Sequence, residues 1–153
     1  MKGTDVKKVN SVIFLSFLVI LLLVTPVIGS SDDWLEYGKD TSGDVFSYDK
    51  TTIQYRTKDV VQVWTKKVYS DKGREELGQM KIKNERWTED YDRLSHDVTL
   101  YEIDCKKQRS QVVSFTYYDT DSIVFKSYSY DKPSWSYITP DSQYDILRKI
   151  VCK

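Results

Sequence analysis

The chain has 153 residues, 23 of them basic and 23 acidic, with a single histidine and two cysteines. That length suits one domain rather than two, and a balanced surface of mixed sign excludes a nucleic-acid binder. No glycine-rich phosphate loop is present, since the six glycines are scattered.

The chain opens with an export signal. Lys2, Lys7 and Lys8 form a positive start, and Val12 to Val24 is apolar apart from Ser16. Pro26 then breaks the helix, and Val27 and Gly29 put small residues where signal peptidase cuts. We expect a signal peptide over 1–29 and a single mature domain over 30–153. The alternative is an uncleaved anchor, because Val12 to Ile28 reaches the short edge of a spanning helix. Lys2, Lys7, Lys8 and Asp5 leave with the leader, so the remainder carries two excess acidic charges. The first cysteine is Cys105, far from the cleavage point, so no lipid is attached there. The membrane is met only through the leader before cleavage.

Beyond the leader the pattern is of short strands between turns. Trp34 to Tyr37 reads as a strand, Gly38 to Gly43 as a turn and Val45 to Tyr48 as a second strand. Thr52 to Arg56 extends the pairing. Val60 to Thr65, continuing through Tyr69, is β-branched and alternating, and predicts a long strand. Ser70 to Trp87 is rich in helix formers, with Asp71 as a candidate cap and Leu77, Met80 and Ile82 on one side. We read it as a short surface helix or ordered loop inserted between strands, with Thr88 to Leu94 leading back to the sheet. Three strands follow in a meander, Val98 to Asp104, Gln111 to Tyr118 and Ile123 to Tyr130, joined at Lys106 to Arg109 and Asp119 to Ser122. Alternation puts Tyr101, Ile103 and Cys105 on one face, Val113, Phe115 and Tyr117 together on the next strand, and Ile123 with Phe125 on the last.

After Pro140, with Asp141 or Ser142 as cap, Tyr144, Leu147 and Val151 recur at helical spacing beside Ile146 and Ile150. This predicts a C-terminal helix that covers the apolar face of the sheet. The expected fold class is α+β, mainly β: an antiparallel meander of five to six strands with that helix packed on one face. In an oxidising compartment Cys105 and Cys152 can pair in only one way. A metal pair needs more ligands than a lone His96 supplies, and a redox pair needs closer spacing. A disulfide between them would pin the helix across the sheet and contribute on the order of 4 kcal/mol.

Catalytic candidates are few. Ser95-His96-Asp97 has suitable letters, yet sequence neighbours on a strand point to opposite faces. Asp119-Thr120-Asp121-Ser122 lacks the glycine and terminal glutamate of a calcium loop and reads as a hairpin turn. Glu75 and Glu76 read as a solvated helix face. Binding is better supplied. All 12 tyrosines and all four tryptophans fall after the leader, and such rings anchor partners at low entropy cost or simply pack a sheet. The candidate binding surface is Tyr117, Tyr118, Tyr128 and Tyr130, with the basic cluster Lys106, Lys107 and Arg109. That cluster would meet acidic glycans or phospholipid, or serve as a solvated turn.

The ordered set of motifs carries a resemblance. It runs from Trp34 with Tyr37-Gly38, through Phe46-Ser47-Tyr48-Asp49-Lys50-Thr51-Thr52-Ile53 and Val61-Gln62-Val63-Trp64, to Tyr101-Glu102-Ile103-Asp104-Cys105. It closes with Trp135-Ser136-Tyr137-Ile138-Thr139-Pro140-Asp141-Ser142 and Leu147 to Cys152. Together these resemble the surface-adhesin protein E family of bacterial envelope proteins. The resemblance implies an antiparallel sheet with a disulfide-tethered C-terminal helix, and adhesion through host matrix or serum proteins. It brings no catalytic motif and no cofactor. Ser70 to Leu94 is longer than the family's core pattern. The expected function is an exported, non-enzymatic binding module contacting a protein or glycan partner. The alternatives are a structural or stress-related periplasmic protein with an envelope-protein partner, and a small hydrolase.

Overall fold

In the computed structural model, residues 33–83 and 91–153 are described. The expected leader and the stretch 84–90 lie outside the described residues, as do the side chains of Ile82 and Phe125. The backbone of the sheet is β4, Val60–Val68, whose alternation of β-branched and polar residues turns Val61, Val63 and Thr65 inward. It pairs antiparallel with β5, Leu94–Asp104, in unbroken register from Val60 opposite Asp104 to Val68 opposite His96. β6, Arg109–Asp119, and β7, Val124–Ser129, continue the sheet on one side. On the other side lie β2, Val45–Asp49, and β1, Trp34–Lys39. The order is β1-β2-β4-β5-β6-β7, with two-residue strands β3, Gln54–Tyr55, on β4 and β8, Ser136–Tyr137, on β6.

This is the expected antiparallel sheet, with local differences. Asp49 accepts the Thr51 amide at 2.8 Å and winds Lys50–Thr52 into a 3-10 turn, which leaves only β3 of the Thr52 to Arg56 strand. On β6, Ser114 lies opposite Leu100 and Val112 opposite Tyr101, so Val113 is the extra residue of a bulge. Val112, rather than Val113, therefore shares the inner face with Phe115 and Tyr117. Ile123 stays exposed in the turn before β7. Each hairpin is shaped by an aspartate. Asp40 accepts the Ser42 and Asp44 amides, both at 3.0 Å, with Gly43 in the left-handed region at φ 90°. Asp104 and Asp119 bind the amides of Lys107 and Ile123 in the next two turns.

Helix α1, Asp71–Lys83, follows β4. Ser70, not Asp71, caps it: its hydroxyl accepts the Gly73 amide at 2.9 Å, while Asp71 is the first helical residue and pairs with Arg74. Helix α2, Gln143–Val151, is capped by Ser142 and buries Leu147 and Val151 against Val61, Val63, Ile103 and Ile138. Its stripe is narrower than the spacing implies. Asp145 is buried, held by Arg148 and Lys149, and Tyr144 leans outward. Cys105 and Cys152 are bridged, their Cα atoms 5.6 Å apart, which fastens the end of α2 to the end of β5. The helix seals only the Val61, Val63 and Ile103 part of the sheet face.

Candidate functional site

Past Val63 the inner side of β4 turns polar. Thr65 and Lys67 take the next inward positions, and Tyr69 follows the strand. The register sets Thr99 opposite Thr65 and Asp97 opposite Lys67, with Phe115 and Tyr117 beyond them on β6 and Phe46 beside Lys67 on β2. With Tyr37, Tyr101, Val112 and Tyr144 these residues line an open cavity of about 250 Å³ beside α2.

Asp97 is the acid in this cavity. Its Oδ2 accepts the Tyr69 hydroxyl at 2.5 Å and its Oδ1 accepts the Thr99 hydroxyl at 3.0 Å. No cation is paired with it among the described residues. Lys67, its cross-strand neighbour, is turned to Asp44 at 2.8 Å and Asp40 at 3.7 Å, with its ammonium over the rings of Tyr69 and Phe46. Burial pushes the Asp97 carboxyl above the usual carboxylate range, against the pull of Tyr69, Thr99 and Lys67. Burial and the Asp97 charge push the Tyr117 phenol up to about 12 and raise that of Tyr69 as well. The phenols are therefore hydrogen-bond donors at neutral pH.

Asp44 anchors the rim. It is buried and accepts the Ser70 amide at 2.7 Å and the Ser70 hydroxyl at 2.9 Å, tying the β1–β2 turn to the start of α1. A second, larger cavity of about 560 Å³ adjoins the first and shares Tyr101, Val112 and Tyr144 with it. Tyr130, Pro133 and Ser136 add to its walls. The partition is a pair of rings: Tyr101 and Tyr144 meet edge to face at 5.4 Å, their hydroxyls 3.2 Å apart. Exposed aromatic surface surrounds this side, with Tyr137 86%, Tyr130 47% and Tyr144 43% exposed.

The Surface-adhesin protein E family model matches residues 34–153, from the first residue of β1 to beyond α2. The chain belongs to the surface-adhesin protein E family. Solved structures similar to this family member include crystal form II of Haemophilus influenzae protein E, 11% identical, with a TM-score of 0.49 over 84% of this chain and 94% of that chain. Another is protein E from non-typeable Haemophilus influenzae, also 11% identical, with a TM-score of 0.47 over 84% of this chain and 81% of that chain. Among curated proteins none matches it.

In this surface-adhesin protein E domain the residues singled out from the sequence fall in three places. Tyr117 lines the smaller cavity and Tyr130 the larger, while the rings of Tyr128 and Tyr130 pack near Phe115, with centroids 4.9 and 6.3 Å away. Tyr118 lies on the opposite face, stacked on His96 at 4.7 Å. Lys106 and Lys107 are exposed in the β5–β6 turn, while Arg109 binds Asp104 at 3.1 Å and sits over Trp135. Ser95-His96-Asp97 is split between faces, with His96 against Ser95 and Tyr118 and Asp97 in the cavity. Among the described residues no group of three His, Cys, Asp or Glu is placed to hold a metal ion, and no helix is long and apolar enough to cross a membrane. The sequence reading missed Lys67, Tyr69 and Asp97 as a group. Their signal was the alternation of β4, which carries polar residues onto the core side after Val63.

Proposed function

We propose that this chain is a non-enzymatic binding module, adhesin-like, exported by cleavage after Gly29 and contacting a protein or glycan partner at the bacterial envelope or surface. The observation that carries this reading is the stretch of sheet face beside α2, where rings surround two neighbouring cavities instead of being sealed under the helix. Rigid rings with a polar end anchor partners at low entropic cost. The family is one of surface adhesins, which supports location at the envelope or surface. The separation of His96 from Asp97 supports a role without catalysis, and binding of this kind needs no cofactor.

The test is capture by the purified exported protein of matrix proteins, glycans and envelope extracts, with its disulfide intact. A Tyr130→Ala, Tyr137→Ala double variant trims exposed rings and leaves the core untouched. We expect at least one partner to be retained and its retention to fall at least tenfold in the variant. No retention at all, or equal retention, counts against this binding face.

A further inference from the structure

Three features of the smaller cavity concern charge and size. Asp97 is an acid with two accepted hydroxyl bonds and no cationic partner among the described residues. The charged groups facing it are Lys67 on β4 and, behind Lys67, Asp44 and Asp40 of the β1–β2 turn. Lys67 is already matched by those two carboxylates, so the cluster as a whole lacks positive charge. The remaining groups packed around Asp97 are Tyr37, Tyr69, Tyr101, Tyr117 and Tyr144, all phenols that bring no cation. A cavity of about 250 Å³ is smaller than the ~300–1,000 Å³ of most small-molecule pockets and several times the ~30 Å³ share of one water. It has the size of one side chain.

Resting on the binding face proposed above, we infer that this cavity receives a primary alkylammonium, the lysine side chain of a partner protein. Two of its three N–H donors satisfy the lone pairs that Tyr69 and Thr99 leave free on Asp97, and the methylene stem lies along Phe115, Tyr117 and Tyr37. The ring faces add cation–π attraction in a partly dehydrated site. A quaternary ammonium has no N–H to give Asp97, and a neutral chain leaves the negative excess uncorrected.

The probe is Nα-acetyl-lysine methylamide, titrated into the exported protein and followed by the ring proton resonances of Phe115 and Tyr117. Its norleucine counterpart, with the same stem and no ammonium, and choline serve as controls. We expect the lysine probe to bind at least tenfold more tightly than either control, and Asp97→Asn to remove that preference while the thermal unfolding of the variant shows it folded. Phe115→Leu is a second variant, expected to weaken the lysine probe about threefold or more. Equal binding of lysine and norleucine probes, or choline binding as well as lysine, overturns the assignment on the unaltered protein alone. If the lysine probe fails while partner capture still depends on Tyr130 and Tyr137, the ammonium assignment is wrong and the binding face stands. If capture is indifferent to those rings, the binding face itself is wrong.

Discussion

Asp44, in the β1–β2 turn, and Asp97, on β5, flank Lys67 from two sides, yet their surroundings act on them in opposite directions. At Asp44 burial acts to raise the pKa, but Lys67 and the amide and hydroxyl of Ser70 hold it below its ordinary value. A carboxyl lowered in the folded state stabilises fully above its unfolded pKa of about 3.9, and that contribution is lost as pH falls through the folded value. Asp97 is raised, so its ionised form opposes folding at neutral pH and the protein gains stability as that carboxyl protonates. Asp97→Asn is therefore expected to raise Tm at pH 7 by a few degrees, a gain that vanishes near pH 3, as read by calorimetry across pH. Asp44→Asn is expected to do the reverse, losing about 1–3 kcal/mol at pH 7 with the deficit closing in acid. Gly73 tests the same contact from the helix side. A Cβ there collides with the Asp44 carboxylate, so Gly73→Ala should lose a similar amount. The double variant with Asp44→Asn should cost less than the sum, because both act on one contact.

Among the elements, the ones most legible in sequence were those with a strict period. β4 followed from Val60 to Val68 because alternation there coincides with β-branched residues, and α2 from Leu147 and Val151 at four-residue spacing. The differences arise where a single polar side chain redirects the backbone: Asp49 at the 3-10 turn, Ser70 at the start of α1, and the bulge at Val113 that moves Val112 inward. Asp145 interrupts the apolar stripe of α2 because two basic neighbours one turn on, Arg148 and Lys149, meet its carboxylate. α2 is held in two ways, by packing and by covalent tether, and they can be separated. Leu147→Ala with the disulfide intact is expected to cost about 2–5 kcal/mol, since Leu147 is fully buried. Cys152→Ser is expected to cost about 4 kcal/mol by the loop-closure argument, a fall in Tm of about 15 °C measured against the oxidised parent.

For the molecule as a whole, the sheet and its helix could be read from the chain, and the cavity beside them could not. Lys67 and Asp97 are thirty residues apart and become neighbours only through the β4–β5 register. Each alone looks like a solvent-facing charge on a strand. Strand alternation puts both on the inner side of the sheet, and what leaves them beside a cavity is that α2 does not extend over them. Tyr117 was legible as a binding candidate because it sits among other rings in sequence, whereas Tyr69 was not, since it directly follows a strand and reads as its last residue.

The position of the disulfide bears on how this molecule carries tension. The sulfur atoms join the end of β5 to the residue after α2, a sequence separation of 47 that takes in β6, β7, β8 and α2. A pull applied between Asp33 and Lys153 passes from Cys152 straight into β5, and the enclosed elements bear none of it. The load falls on β5 and β4, whose register of nine paired residues is the longest unbroken one in the sheet, and the cavity wall contributed by β6 is shielded. Stretching single molecules should show this directly. Reduction of the bridge should lengthen the fully extended chain by up to about 160 Å, at ~3.3–3.6 Å per released residue. The walls of the larger cavity, which apart from Tyr101 lie within the bridged loop, would then stay slack while β4 and β5 are stretched.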